Sequence, residues 1–198
     1  MLTLPEKIIF TFAAITSGYL ALRAVQRLMQ IISVGQGKPN WRLIPKRLWQ
    51  TLVKSLSLQT VWSLRPIPSL FHALVVWGFT FYLLVNLGDV LQAYLPNLEF
   101  FGTGTLGNLY RFLADILSVS VLVGMTALLI RRFVFQPKNL GTRESILLNE
   151  KAKSGIKRDS LIVGVFILLH VGFRFLGESF HLAFAGEPDR WQPFASYK

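Results

Sequence analysis

Four ionisable side chains recur within one apolar stretch near the end of the chain. They are His170, Arg174, Glu178 and His181, at i, i+4, i+8 and i+11. At about 100° per residue, this spacing places all four in one narrow stripe of a helix. Ionisable groups are costly inside a membrane span, so we expect the stripe to face protein, a cofactor or water. A purely structural i, i+4 ion pair between Arg174 and Glu178 remains the alternative.

A further histidine in an apolar segment, His72, points to haem chemistry when it is combined with His170. Neutral imidazole is the usual axial donor to haem iron, and bundles build cofactor sites from facing helices. His170 lies about 14 Å along its helix from Leu161, whereas His72 lies about one or two turns inside its own. We expect tilted helices or an inclined haem to compensate for this difference in depth. His181 is too distant to share that haem, and for His72 alone a hydrogen-bonding role is the alternative.

A smaller polar face is formed by Asn108, Arg111 and Asp115, at i, i+3 and i+7. The simplest expectation is a local ion pair between Arg111 and Asp115. Arg23 and Arg27, in another apolar segment, are expected to extend their charges towards the nearer membrane surface.

The elements that position these side chains are predicted by hydropathy. The chain has 198 residues, is 52% hydrophobic and has a mean hydropathy of +0.46, which is high for a soluble domain. A hydrocarbon core about 30 Å thick requires about 20 residues of helix. Backbone groups in lipid must be paired internally, so long apolar segments there form helices. The sequence predicts a single transmembrane domain over residues 1–198, with helices at about 8–34, 68–91, 106–130 and 160–184.

Charge predicts the orientation of these helices. The loops 35–65 and 131–159 contain 14 of the 21 Lys and Arg residues. Because cytoplasmic loops are enriched in Lys and Arg, both loops are predicted to be cytoplasmic and both termini to lie outside the inner (cytoplasmic) membrane. The net charge of +11 is thereby explained without a nucleic-acid partner.

The first basic loop carries apolar residues at helical spacing, interrupted by bases. The apolar residues are Leu48, Trp49, Leu52, Val53 and Leu56. This pattern predicts a short amphipathic helix in the headgroup region, with its cations towards anionic lipid. The predicted fold class is therefore an all-α, polytopic membrane helix bundle with four transmembrane helices and one short interfacial amphipathic helix.

Several short runs carry a family resemblance. Residues 65–72 read RPIPSLFH and are followed by Trp77, Gly78 and Phe79; residues 131–133, 172–178 and 191–194 add further runs. Together they resemble the cytochrome b-type membrane domain that is similar to the nitrate reductase gamma subunit. That domain is found at the N-terminus of membrane-bound iron–sulfur oxidoreductases related to heterodisulfide reductase. Some members of that group pass electrons from electron-transfer flavoprotein to menaquinone.

The resemblance implies haem b, menaquinone or another quinone, and an iron–sulfur partner on the cytoplasmic side. In the family, a further helix with additional histidines and a cysteine-rich region follow the position of Lys198. This sequence has no cysteine, so it carries no iron–sulfur cluster of its own. We therefore expect either a split gene whose partner completes the site or a longer polypeptide.

The function expected from these features is a haem b-binding, quinone-interacting subunit of a membrane oxidoreductase complex. It relays electrons, performs no bond chemistry of its own, and contacts membrane lipid and other subunits. The expected cofactor-binding residues are His72, His170, Arg174 and His181, and the expected metal ligands are His72 and His170. The alternatives are a non-redox anchor or assembly subunit, whose polar stripes only hold helices together, and a small transporter. No pair of Gly- or Pro-broken helices points to a transport site.

The orientation can be tested with single cysteines, because the native chain has none. Cysteines at Lys54 and Glu99 should react with a membrane-impermeant maleimide from opposite sides of the membrane. Labelling of both positions from the same side would contradict the four-helix arrangement.

Overall fold

The computed structural model describes residues 3–35, 40–58, 62, 65–95, 100–102, 104–137, 140, 149–186 and 188–196. Regular secondary structure within these ranges is helical. The helices are α1 (Leu4–Ser33), α2 (Ile44–Ser57), α3 (Pro66–Tyr94), α4 (Thr105–Ile130) and α5 (Glu150–Ala185). A short 3-10 turn, Trp41–Leu43, precedes α2, and a π-helical turn, Arg131–Phe135, continues α4.

Four of these helices are long and apolar enough to cross a membrane, as the sequence predicted. They are α1, α3, α4 with its π-helical turn, and residues Gly155–Ala185 of α5. The all-α class is confirmed, and the chain has the architecture of a multi-pass membrane protein. Pro66 and Pro68 are tolerated in α3 because the first turn of a helix has backbone N–H groups without intrahelical acceptors.

The chain forms two compact units, Met1–Leu52 with Gly88–Phe100, and Val53–Leu87 with Phe101–Lys198. In the first unit, no residue of α1 is buried. The Tyr94 hydroxyl lies 2.6 Å from the Thr11 hydroxyl and donates to the Lys7 carbonyl oxygen, and the Phe10 ring lies 6.3 Å from the Tyr94 ring. A capping box between Thr3 and Glu6 begins α1.

The second unit packs α3 against α4 through glycines. A Cβ atom on Gly78 would meet the Val121 side chain and would lie 2.9 Å from the Leu117 carbonyl oxygen. Small residues let membrane helices approach closely, which replaces the missing hydrophobic driving force with dispersion contacts. The core of this unit joins three helices, with α3 contributing Tyr82, α4 contributing Val121, and α5 contributing Ile167 and Val171.

The amphipathic segment predicted in the first basic loop is helical, and it forms α2. Its apolar side chains, from Leu48 to Leu56, are exposed. The C-terminal part of α2 is tied to α3, because the Trp77 indole N–H donates to the Leu56 carbonyl oxygen at 2.7 Å. This bond satisfies one of the last carbonyls of α2, which have no partner inside the helix.

Gly78→Ala should destabilise the protein, because the new methyl group meets backbone atoms that cannot move aside. We expect a cost of about 1–3 kcal/mol, seen as earlier thermal aggregation in detergent. Gly18→Ala in α1 is the matched control, since a Cβ atom there meets nothing within 4 Å. The same substitution in an open helical position should be neutral or stabilising. Equal melting of the two variants would contradict close α3–α4 packing at Gly78.

Candidate functional site

The level of His72 along the helices is set by the contact between α3 and α4. Gly124 of α4 lies against the backbone of α3, and a Cβ atom there would come within 2.9 Å of the Phe71 carbonyl oxygen and 3.0 Å of the Val75 side chain. His72 lies between these two residues in sequence, and its side chain is exposed. His72 and Gly124 therefore share one level of the structure.

The level of His170 is set by the contact between α5 and α4. A Cβ atom on Gly172 would lie 3.8 Å from the Leu122 side chain, and α4 runs antiparallel to α5 because Gly164 likewise meets Leu129. His170 precedes Gly172 by two residues, so it lies at the level of the residue two positions after Leu122, which is Gly124. By these glycine contacts, His170 and His72 both lie near Gly124, although the His170 ring also contacts Tyr82, which is ten residues, or about 15 Å, beyond His72 along α3.

The imidazole of His170 is held between aromatic rings. It stacks on Phe166 with centroids 5.8 Å apart and planes at 5°, and it meets Tyr82 edge-on at 6.1 Å. These contacts fix the plane of a half-buried ring. Within the part of the chain that the structure describes, neither His170 nor His72 makes a hydrogen bond through its ring nitrogens.

Tyr82 is the centre of this region, and sequence reasoning missed it. Its side chain is 1% exposed, and its hydroxyl lies 3.0 Å from the Ser118 hydroxyl, which donates to the Ala114 carbonyl oxygen. The guanidinium of Arg174 lies 5.9 Å from the centre of the Tyr82 ring. His170 and Arg174, two members of the predicted stripe, therefore converge on one tyrosine of α3. A tyrosine in the middle of an apolar span was the available signal, because its hydroxyl needs a partner there.

The remaining members of the stripe have other surroundings. Glu178 is half-buried, and one of its carboxylate oxygens accepts a hydrogen bond from the Gln192 side-chain amide at 3.0 Å. His181 is exposed. Arg174 and Glu178, which were expected to be either functional or an ion pair, thus contact a ring and an amide respectively. Within the described residues, no group of three or more His, Cys, Asp or Glu side chains is arranged to hold a metal ion.

A third polar cluster lies where the N-terminal end of α4 meets the segment after α5. Asp115 is 3% exposed, and its two carboxylate oxygens accept backbone N–H groups from Phe194, at 2.7 Å, and Ala195, at 2.9 Å. Hydrogen bonds to a carboxylate are about twice as strong as neutral ones. Asp115 therefore fixes the path of residues 188–196 across α4.

The expected local ion pair between Arg111 and Asp115 was wrong. Arg111 instead lies 2.9 Å from an Asp189 oxygen and donates to the Asn108 side chain at 2.6 Å. Asp189 also accepts the Trp191 backbone N–H at 2.9 Å. The segment after α5 offers Arg111 a carboxylate and Asp115 two N–H donors, which together satisfy both groups better than a single i, i+4 contact does.

Searches against protein-family models, curated proteins and solved structures find no match to this chain.

Asp115→Asn should release the segment 188–196, because an amide replaces one acceptor oxygen with an N–H₂ group facing a backbone N–H. The lost charge-assisted bonds are expected to cost about 2–4 kcal/mol. Trypsin cleavage after Arg190, followed by intact mass, should become about tenfold faster or more.

Asp159→Asn serves as the control for that experiment, because Asp159 is exposed and far along α5 from this segment. Cleavage at the wild-type rate in Asp115→Asn would show that the two backbone hydrogen bonds do not hold the segment.

Proposed function

We propose that this chain is a haem b-binding, quinone-interacting membrane subunit that relays electrons within an oxidoreductase complex. The observation that carries the proposal is the pair His72 and His170. Glycine contacts bring both residues near Gly124 of α4, and neither imidazole makes a hydrogen bond within the described residues. The family resemblance of the surrounding sequence runs supports the same function.

The absence of hydrogen bonds matters because both residues lie in helices that are long and apolar enough to cross a membrane. Within apolar helices, water is scarce, so an imidazole without a protein partner leaves a strong donor and acceptor unused. An imidazole nitrogen with a free lone pair is also the form that binds iron. The rings around His170 hold its plane before any ligand arrives, which lowers the entropy lost on binding.

The four proposed cofactor-binding residues have different roles. His72 and His170 would hold the iron of a haem, and the haem would supply one-electron transfer. Arg174 lies one turn from His170, and its charge suits an anionic group of the cofactor. His181 lies eleven residues beyond His170, about 16 Å along α5, so it would contact a cofactor other than the one His170 ligates.

The proposal of a cytoplasmic partner rests on the positive charge of two loops. The loops 35–65 and 131–159 are strongly basic, and we assign them to the cytoplasmic side of the inner membrane with both termini outside. An acidic iron–sulfur protein would be steered towards such a surface. Arg158 and Lys157, at the start of the apolar part of α5, are exposed and available for this contact.

A second candidate function is a non-redox anchor subunit, and one observation favours it. The cluster of Arg111, Asp115 and Asp189 is satisfied by the protein's own groups, so its polar residues can be explained by structure alone. Interhelical polar contacts are a common means of holding membrane helices together. This explanation does not extend to His72 and His170.

The visible spectrum of the purified complex separates the two functions. The reduced protein should show the absorption bands of a b-type haem, and His72→Ala or His170→Ala should abolish or shift them. His181→Ala is the matched control and should leave them largely intact. A wild-type complex without haem, or an unchanged spectrum in both ligand variants, would refute the proposal and leave the anchor function.

A further inference from the structure

Four polar side chains lie along one face of α1 near its C-terminal end. They are Arg23, Gln26, Arg27 and Gln30, at i, i+3, i+4 and i+7. At about 100° per residue, they fall within about 100° of the helix surface. All four are exposed, and among the residues that the structure describes they have no hydrogen bond or ion pair through their side chains. Two guanidinium groups and two amides thus lie together on a helix that is long and apolar enough to cross a membrane.

The depth of these groups follows from the length of the uncharged run before them. Residues 8–22 separate Lys7 from Arg23 and extend over about 22 Å, whereas a hydrocarbon core is about 30 Å thick. With Lys7 at one boundary, the core ends near Arg27, and the Cα atom of Arg23 lies about 6 Å inside it. A short apolar stretch of this kind is accommodated when flanking side chains extend to the interface or when the bilayer becomes thinner.

Helix geometry opposes the extension of Arg23 towards the nearer surface. The Cα–Cβ bonds of a helix tilt towards its N-terminus, so side chains near the C-terminal end of α1 begin by pointing towards the middle of the bilayer. Arg27, at the boundary, still reaches the headgroups. Arg23 needs an anionic group that comes down to its level, because charged groups in membrane spans are almost always paired.

The chemistry of this face matches a phosphate. Positions i and i+4 of a helix are about 5–6 Å apart between Cβ atoms, so the guanidinium groups of Arg23 and Arg27 can reach one phosphate. Each guanidinium presents forked N–H donors that fit two phosphate oxygens, and the two glutamine amides add further N–H groups. Acidic side chains nearby in the sequence do not compete, since residues 7–88 contain no Asp or Glu.

The next helix along the chain favours a phospholipid as the source of that phosphate. In the same compact unit as α1, the first half of α2 carries Lys46 and Arg47, and its Leu48 and Trp49 side chains are 60% and 69% exposed. Both helices therefore present cations beside uncovered apolar surface. A phospholipid with a net negative headgroup complements both features. A carboxylate on a partner's helix would pair with the arginines of α1 but would not account for the same combination on α2.

We propose that the C-terminal part of α1 is a binding site for an anionic phospholipid. Arg23 and Arg27 hold one phosphate between them, and Gln26 and Gln30 donate to its oxygens. The acyl chains lie along exposed apolar side chains of the same helix, such as Leu20. The lipid neutralises charge that otherwise remains inside the hydrocarbon core. The site requires neither haem nor quinone and is independent of the proposed electron relay.

The preference of the protein for one headgroup over another tests the site. The protein is purified in detergent with any subunits that accompany it, and native mass spectrometry compares binding of phosphatidylglycerol and phosphatidylcholine with identical acyl chains. Wild type should bind phosphatidylglycerol about tenfold tighter, because only that headgroup has a net negative charge for the arginines to neutralise. Arg23→Gln with Arg27→Gln should abolish most of this preference. A wild-type protein without a preference would overturn the proposal, and is the result expected if a partner's carboxylate already pairs with the arginines.

Arg65→Gln with Arg190→Gln is the matched control. It removes the same two charges from exposed positions outside the spans and should retain the preference. An equal loss of preference in both double variants would show that lipid binding follows the total charge of the protein, and would overturn the site on α1.

Arg23→Lys with Arg27→Lys keeps the charge, and so provides a test even where the glutamine variant does not fold. Lysine binds phosphate as a point charge without forked donors, so the preference should fall about threefold. A preference equal to that of the wild type would overturn the shared phosphate contact.

An excess of glycerol 3-phosphate distinguishes a phospholipid from a free phosphate compound. It should leave phosphatidylglycerol bound, because it carries the phosphate without the acyl chains that contact α1. Displacement of the lipid would overturn the assignment of a phospholipid to this site.

Discussion

The carboxylate of Asp115 is almost completely buried among apolar helices, and the backbone N–H groups of Phe194 and Ala195 solvate it in place of water. A charge removed from water is tolerated only where several oriented dipoles replace its hydration. Backbone N–H groups can replace this hydration whatever side chains their residues have. The requirement fixes where the segment after α5 crosses α4, and the positions of the other polar groups at this end follow from it.

Because the segment after α5 is fixed in this position, its side chains replace the ion pair that was expected between Arg111 and Asp115. Asp189 is brought to Arg111, and Gln192 to Glu178, so two ionisable residues from the predicted faces find partners far away in the sequence. The partner of Arg111 is therefore decided by the path of the segment after α5 and not by residue spacing along α4.

The sequence was sufficient to predict features that depend on the length of an apolar run or on the spacing of nearby residues. Hydropathy predicted four long helices because the length of an apolar run is itself the physical requirement for spanning lipid. The 3.6-residue period correctly placed α2 as a helix in the first basic loop and put His170 and Arg174 on one side of α5. It could not identify the roles of Asp189 and Gln192, because their partners Arg111 and Glu178 lie on other elements. The Arg111–Asp115 pair failed for the same reason, since local spacing shows which side chains can meet and tertiary contacts decide which do.

The packing of α3 against α4 connects the glycines to the histidines. Because Gly78 and Gly124 carry no side chain, α3 lies close to α4, and the register of that contact sets the height of His72. The looser contact of Gly172 with Leu122 sets the height of His170 in the same way. Two imidazoles on separate helices reach one level only if both registers are correct, and a shift of α3 by one turn would move His72 by about 5.4 Å. Helices that pack together only for stability need close contact. That contact does not require residues which do not touch α4 to lie at the same height. The registers of both contacts therefore support the proposal of a shared ligand for His72 and His170, whereas the satisfied polar contacts at the other end of α4 suit an anchor equally well.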